Sequence, residues 1–196
     1  NIISVDVEDV IGTHVVNFEG NLVKNVLDSN GNIIKTMDLK TEEKNTQEVF
    51  KRTTQALDMN QGWNLKGNII VNKINGNFHI SSHAFAEAVM LLYSQKRMLD
   101  FEHNIKHLSF GSEESINKIT SLTGGYNLSP LDKKIESSRP QNMGGHVHNT
   151  LTTYYLDITP TRYMLGDDDE YSAHEYTYST QTIGTHGMPG IFFKYE

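Results

Sequence analysis

The nine histidines are the residues of this chain whose spacing could support metal or acid–base chemistry. Three pairs lie close together in sequence: His79 and His83, His103 and His107, and His146 and His148. The first two pairs are four residues apart, a spacing that on a helix can present two imidazoles to one zinc ion. Neither contains the His-Glu-x-x-His pattern of zinc hydrolases. Structural histidines are therefore favoured over a ligand set, and no metal site is predicted.

Protonation of the histidines offers a different chemistry. The chain has 17 basic and 24 acidic side chains and a formal net charge of −7. An unperturbed imidazole has a pKa of about 6.5, so mild acid could add up to nine positive charges and reverse the sign of the net charge. The domain could therefore act as a pH switch. The alternative, that the histidines simply accompany a protein working at neutral pH, fits the composition equally well.

Composition and missing motifs exclude several other function classes. The absence of Cys excludes a thiol nucleophile, a cysteine-ligated metal and a disulfide framework. The acidic net charge argues against nucleic acid as a partner, since that requires a basic face. The run Asp167-Asp168-Asp169-Glu170 lacks the spacing of a calcium loop and is interpreted as a solvated turn. There is no phosphate-binding glycine loop and no Gly-x-Ser-x-Gly elbow, so no catalytic residue or cofactor is predicted.

Alternating apolar residues indicate a fold made mainly of strands. Strands are predicted at 3–7 and 14–18, in hairpins over 21–38 and 65–81, at 105–110, 151–163 and 171–183, and after the breaker region 184–190. Helices are predicted over 41–58 and 82–102, and a long exposed loop over 123–145, where the triplet Asn127-Leu128-Ser129 is a candidate N-glycosylation site. The sequence therefore predicts a mainly β fold, a twisted β-sandwich of two antiparallel sheets with one or two helices.

The length of 196 residues suits one domain, which at this size buries about 70% of its unfolded surface. A helix needs about 20 mostly apolar residues to cross a bilayer, and the sequence contains no such run. The chain begins at Asn1 without a methionine and ends in the strand-like Phe192-Phe193-Lys194-Tyr195-Glu196. We therefore expect residues 1–196 to be a single domain cut from a longer protein.

Five ordered segments resemble one family. They are Ser4-Val5-Asp6-Val7, 71–80, His107-Leu108-Ser109-Phe110-Gly111 after Ile105, Ser129-Pro130-Leu131, and 187–196. Each motif alone is weak, but in order and spacing the set resembles the ER-vesicle (Erv) cargo receptors of the ER–Golgi intermediate compartment. The segments 40–64 and 82–102 match little of the family pattern.

The resemblance implies a location and a set of partners. It implies a non-enzymatic luminal domain between two transmembrane helices, in a membrane protein of the ER, the intermediate compartment and the Golgi. In this family the larger of two related subunits typically carries a cysteine-rich luminal segment. Because this chain has no Cys, it resembles the smaller subunit, and the larger subunit is an expected partner in a hetero-oligomer. Other expected partners are soluble ER-resident cargo proteins and the COPII vesicle coat, which would contact cytosolic tails outside this chain.

The resemblance also gives the histidines a purpose. Family behaviour implies retrieval of escaped ER proteins, with cargo bound in the more acidic Golgi and released in the ER. The candidate pH-sensing residues are His79, His107, His146 and His148, and no cargo-binding residue follows from the motifs. Two alternatives stay open. One is a structural adaptor that stabilises the larger subunit without touching cargo, and the other is a β-sandwich hydrolase that uses His and carboxylates.

Overall fold

The computed structural model confirms the predicted mainly β fold. It describes residues 2–4, 12–16, 22–27, 32–38, 46–67, 71, 73–82, 85–136, 141–143, 146–164 and 170–196. These residues form twelve strands, mostly paired antiparallel, and three helices, where the sequence predicted one or two. They belong to two compact units: unit 1 comprises 1–72 and 82–98, and unit 2 comprises 73–81 and 99–196. The assignment of one domain to the whole chain stays a prediction.

Unit 1 combines short strands with two helices. Its elements are β1 (Ile2–Ser4), β2 (Gly12–Val16), β3 (Leu22–Leu27), β4 (Ile33–Asp38), α1 (Thr46–Asp58), β5 (Gly62–Asn64) and α2 (Ala86–Ser94). Strands β2, β3 and β4 form an antiparallel sheet, which confirms the predicted hairpin over 21–38, and β1 pairs with β5 in parallel. The two helices pack together, with Ala56 of α1 and Ala88, Val89 and Leu92 of α2 buried.

Helix α2 is shorter than the sequence predicts. The apolar spacing suggested a helix over 82–102, but the helix ends at Ser94. Lys96 adopts a positive φ of 58°, and the backbone N–H groups of Lys96 and Arg97 donate to the carbonyls of Tyr93 and Leu92. A left-handed residue with such back-bonds terminates a helix. Helix α1 confirms the described part of the predicted 41–58 helix, and residues 41–45 lie outside the described residues.

Unit 2 is built on a five-stranded sheet. Its elements are β6 (Gly76–Ser81), β7 (His103–Ile105), α3 (Glu113–Leu122), β8 (Lys134–Glu136), β9 (Gln141–Met143), β10 (His146–Met164), β11 (Glu170–Thr185) and β12 (Gly190–Tyr195). The strand order is β11-β10-β12-β6, with β9 paired to the start of β10. β10 and β11 contain the strands predicted over 151–163 and 171–183 and pair antiparallel, β12 runs parallel to β10, and β7 pairs with β8.

Several predictions for this part of the chain need correction. The predicted 65–81 hairpin does not turn at Asn75-Gly76, because residues 73–75 form a bend and Gly76 begins β6, which pairs with the C-terminal β12; residues 68–70 and 72 of that hairpin lie outside the described residues. Helix α3 was missed, although Ser112 caps it by accepting a hydrogen bond from the Ser115 N–H. The 123–145 segment is not an exposed loop throughout, because Leu128 and Leu131 are buried.

One face of the five-stranded sheet carries the main core of unit 2. Phe193 of β12 stacks between Phe78 of β6, at 4.5 Å between ring centroids, and Tyr154 of β10, at 4.9 Å. The segment containing Ile105 and Leu108 packs over this core. Side chains alternate between faces along a strand. The intervening residues of β6, β10, β11 and β12 therefore belong to the opposite face of the sheet.

Candidate functional site

Part of the face of the five-stranded sheet opposite the core is exposed and carries chemically varied side chains, whereas Thr153, beside Phe192 on that face, is buried. We call the exposed part the open sheet face, and its residues are Asn77, His79, Tyr155, Asp157, Thr177, Ser179, Phe192 and Lys194. All of them are exposed except Phe192, which is half-buried. The pairing register places Asn77, Lys194 and Tyr155 in one cross-strand row. His79 and Phe192 belong to the adjacent row.

Aromatic contacts order the side chains of the open sheet face. The Lys194 Nζ lies 5.4 Å from the ring centroid of Tyr155, which is a cation–π contact. The His79 ring stacks on Phe192 with 4.8 Å between centroids and 13° between planes. Because His79 and Lys194 are diagonal neighbours on adjacent strands, a proton on His79 would place two cations side by side.

A concavity of about 590 Å³ opens onto the same face. Its lining includes Asn77, Tyr155, Asp157, Ser179 and Lys194. One exposed ring, one cation and several hydrogen-bonding groups suit contact with a polar partner.

The second histidine candidate, His107, lies elsewhere in unit 2. Its Nδ1 is 2.8 Å from Asp132 Oδ2, and its Nε2 is 2.9 Å from Ser109 Oγ. The neighbouring Leu108 packs on the core face, so His107 belongs to the layer that covers the side of the sheet opposite His79. The structure therefore does not bring His79 and His107 together.

The other two candidates stay predictions. His146 and His148 begin β10, which starts before the strand predicted over 151–163, and they pair with Met143 and Gln141 of β9. Their side chains lie outside the described part of the chain. Among the described residues, no group of three or more His, Asp or Glu could hold a metal ion.

Sequence reasoning missed His103 as an ordered polar group. Its Nδ1 lies 2.8 Å from the Phe101 carbonyl, and its Nε2 lies 2.7 Å from the hydroxyl of the fully buried Tyr154. Burial, followed by the nearby Glu136 carboxylate, raises the pKa of Tyr154 above its ordinary value. The phenol therefore stays protonated and can donate to His103. His103 and Tyr154 are 51 residues apart, so no local sequence pattern could predict their contact.

The candidate glycosylation site occupies a turn. The Asn127 side chain is exposed, and its Oδ1 accepts a hydrogen bond of 2.9 Å from the Ser129 N–H. Ser129 is buried, whereas the amide nitrogen of Asn127 belongs to an accessible side chain. The turn therefore leaves the acceptor accessible, and its modification stays a prediction.

Comparisons with known proteins agree with the motif resemblance. Residues 28–196 match the family model described as endoplasmic reticulum vesicle transporter. The chain is 32% identical over 152 residues to the zebrafish (Danio rerio) endoplasmic reticulum-Golgi intermediate compartment protein 2, covering 71% of this chain and 36% of that protein. It is 29% identical over 178 residues to the human protein of the same name, covering 79% of this chain and 43% of that one.

A yeast relative gives a similar result. The chain is 29% identical over 144 residues to the ER-derived vesicles protein ERV41 of Saccharomyces cerevisiae, covering 69% of this chain and 35% of that protein. The chain thus spans less than half the length of these relatives. No solved structure gave a significant match. No helix in the described ranges is long and apolar enough to span a membrane.

Proposed function

The chain belongs to the endoplasmic reticulum vesicle transporter family, and we propose that it is the luminal domain of a membrane cargo receptor subunit. Family membership supports a role in ER–Golgi vesicle transport. Within that role, the proposed task is retrieval of soluble ER proteins that have reached the Golgi. The proposed partner is a larger related subunit, and vesicle coat contacts are assigned to parts of the protein outside this chain. The transport role itself requires no catalysis.

The observation that supports cargo contact is the open sheet face. The sheet buries Tyr154 and Phe193 on one side, yet it leaves Tyr155 and Lys194 exposed on the other. We assign this face to an acidic patch on a soluble luminal cargo protein. Lys194 supplies a permanent cation, and the adjacent His79 supplies a second one when it is protonated.

The sign of the proposed pH dependence follows from this arrangement. Acid adds charge to His79, which strengthens attraction to carboxylates on the cargo, and return to neutral pH removes it. Asp157 and Lys194 line the same concavity, so a proton gained by the nearby His79 would make this part of the face more positive. Cargo should therefore bind in the more acidic Golgi and dissociate in the ER.

An affinity capture experiment tests the proposal. The luminal domains of this chain and of its larger relative are mixed and exposed to an ER luminal extract at mildly acidic and neutral pH. Captured proteins are identified by mass spectrometry. We expect soluble ER residents at acidic pH only, with at least a several-fold loss for His79→Gln and for Lys194→Ala. His186→Gln and Lys118→Ala alter exposed residues outside the open sheet face and should leave capture unchanged.

Each other outcome has a clear meaning. Equal capture when this domain is omitted would reduce it to a structural adaptor of the larger subunit. Capture that needs this domain but ignores the His79 and Lys194 substitutions would remove cargo binding from the open sheet face. No capture of ER residents at either pH would contradict the receptor function.

A further inference from the structure

A second site in unit 2 has the hydrogen-bond geometry of a nucleophilic hydrolase. Ser109, His107 and Asp132 form a continuous chain, with 2.9 Å between Ser109 Oγ and His107 Nε2 and 2.8 Å between His107 Nδ1 and Asp132 Oδ2. We propose that these residues form a Ser–His–Asp triad that hydrolyses small carboxylic esters. This activity goes beyond the proposed transport role and does not depend on it.

The partners of His107 fix the tautomer that a triad needs. An ionised carboxylate can only accept hydrogen bonds, so the neutral imidazole carries its proton on Nδ1 and donates it to Asp132. Nε2 is then free to accept the hydroxyl proton of Ser109. The three residues therefore hold the roles of nucleophile, general base and orienting carboxylate.

The site is supported by a second set of hydrogen bonds. Asp132 Oδ1 accepts from the Leu108 N–H at 3.0 Å. The buried Tyr176 hydroxyl donates to the Leu108 carbonyl at 2.9 Å and accepts from the Leu131 N–H at 3.2 Å. One phenol thus joins the segment that carries His107 and Ser109 to the segment that carries Asp132. Such support holds reactive groups in register, as a catalytic site requires.

The exposure of the triad determines the substrate class. The His107 side chain is 56% exposed and that of Asp132 is 30% exposed. Ser109 is half-buried beside them. A small ester can approach such an open site from solvent. Esters with good leaving groups need less stabilisation of the oxyanion than amides do, so they are the class that this geometry suits.

The reaction balances without a cofactor. Ser109 Oγ attacks the carbonyl carbon while its proton moves to His107 Nε2. The ester C–O bond then breaks, and His107 returns the proton to the departing alcohol. Water attacks the acyl-serine in the same way, its proton passing through His107 to Ser109 Oγ. The products are a carboxylic acid and an alcohol, and Ser109 is regenerated.

Labelling with a fluorophosphonate probe, followed by peptide mapping, tests the nucleophile directly. The probe bonds its phosphorus to an activated serine oxygen and loses fluoride. We expect a single adduct on Ser109 and measurable hydrolysis of p-nitrophenyl acetate. Ser109→Ala should abolish both. Ser121→Ala removes an exposed serine whose Oγ bonds only the Lys118 carbonyl in the described contacts, and it should change neither.

Asp132→Asn separates catalysis from packing. Its amide oxygen can still accept from the Leu108 N–H, while its NH₂ group donates to His107 Nδ1 and forces the proton onto Nε2. The base is then lost, and we expect at least a 100-fold fall in labelling and hydrolysis rates, since the matching change in a known triad costs about 10⁴-fold. Circular dichroism checks that each variant folds. An unlabelled Ser109 in the folded wild type, or rates unchanged in Asp132→Asn, would overturn the proposal.

Discussion

Replacement of Tyr176 by Phe tests whether one buried hydroxyl holds two segments of unit 2 together. The phenol donates to the Leu108 carbonyl at 2.9 Å and accepts from the Leu131 N–H at 3.2 Å. Tyr176 is 4% exposed, so water cannot simply take the place of the missing oxygen. The ring still fills its position, and the change therefore isolates the two hydrogen bonds.

The expected cost follows from what the substitution leaves behind. A hydrogen bond contributes about 1 kcal/mol net, and an orphaned buried donor or acceptor costs about 1–3 kcal/mol. Two orphaned backbone groups then predict a loss of about 2–6 kcal/mol in the free energy of unfolding. Tyr155→Phe is the matched control, because among the described residues the exposed Tyr155 hydroxyl contacts only Gln181, at 3.4 Å. It should cost less than about 0.5 kcal/mol.

Alkaline pH gives the same experiment a second readout. Burial, with a smaller contribution from the Asp132 carboxylate, raises the pKa of Tyr176 to about 12. An unfolded tyrosine has a pKa of about 10. Between these values the unfolded chain has released the proton and the folded chain retains it. The stabilisation is therefore complete below pH ~10 and is lost as pH rises towards 12.

The difference in the pKa of Tyr176 between the folded and unfolded chains corresponds to about 3 kcal/mol of stability lost at high pH. Urea unfolding followed by circular dichroism at neutral and alkaline pH measures both readouts. Tyr176→Phe should be less stable than the wild type at neutral pH, and its stability should fall less steeply above pH ~10. If it matches Tyr155→Phe at neutral pH, the phenol does not join the two segments. If its alkaline slope equals that of the wild type, burial does not raise the pKa of Tyr176.

Three further substitutions test the packing. Gly76→Ala would place a Cβ 2.4 Å from the Tyr195 hydroxyl, so β6 or that ring must shift. We expect a loss of about 1–3 kcal/mol in thermal unfolding, whereas Gly62→Ala, with nothing within 4 Å, should be nearly neutral. Phe193→Ala empties the centre of an aromatic stack and should cost about 3–5 kcal/mol, measured by urea unfolding. Ser112→Ala removes the cap of α3 and should cost about 1 kcal/mol, whereas Ser112→Asp should retain most of the stability.

Local pattern was enough for the elements whose partners are close in sequence. β-branched and aromatic residues predicted the strands within β10 and β11, which pair with each other, and an Asn-Gly turn predicted the 21–38 hairpin. It failed where the partner is remote. Asn75-Gly76 has the sequence of a hairpin turn, but pairing with β12 and the stack of Phe78 on Phe193 make Gly76 the first residue of a strand.

The candidate sites divide in the same way. The sequence singled out His79 and His107, but it could not place them on opposite sides of one sheet, because that depends on strand order. His107 and Ser109 are two residues apart, and side chains with that spacing share one face of a strand. The strand predicted over 105–110 could therefore have indicated their contact. The contact with Asp132 spans 25 residues and depends on a turn that resembled an exposed loop.

The position of Tyr176 connects the fold to both roles proposed for unit 2. Its strand, β11, places Tyr176 on the core face and the adjacent Thr177 on the open sheet face. Loss of the phenol hydroxyl should loosen the triad, yet leave the strand pairing that aligns Lys194 and Tyr155 intact. Tyr176→Phe should therefore slow probe labelling of Ser109 while cargo capture stays unchanged. If both activities fell together, a general loss of folding would explain the result better than a specific support of the triad.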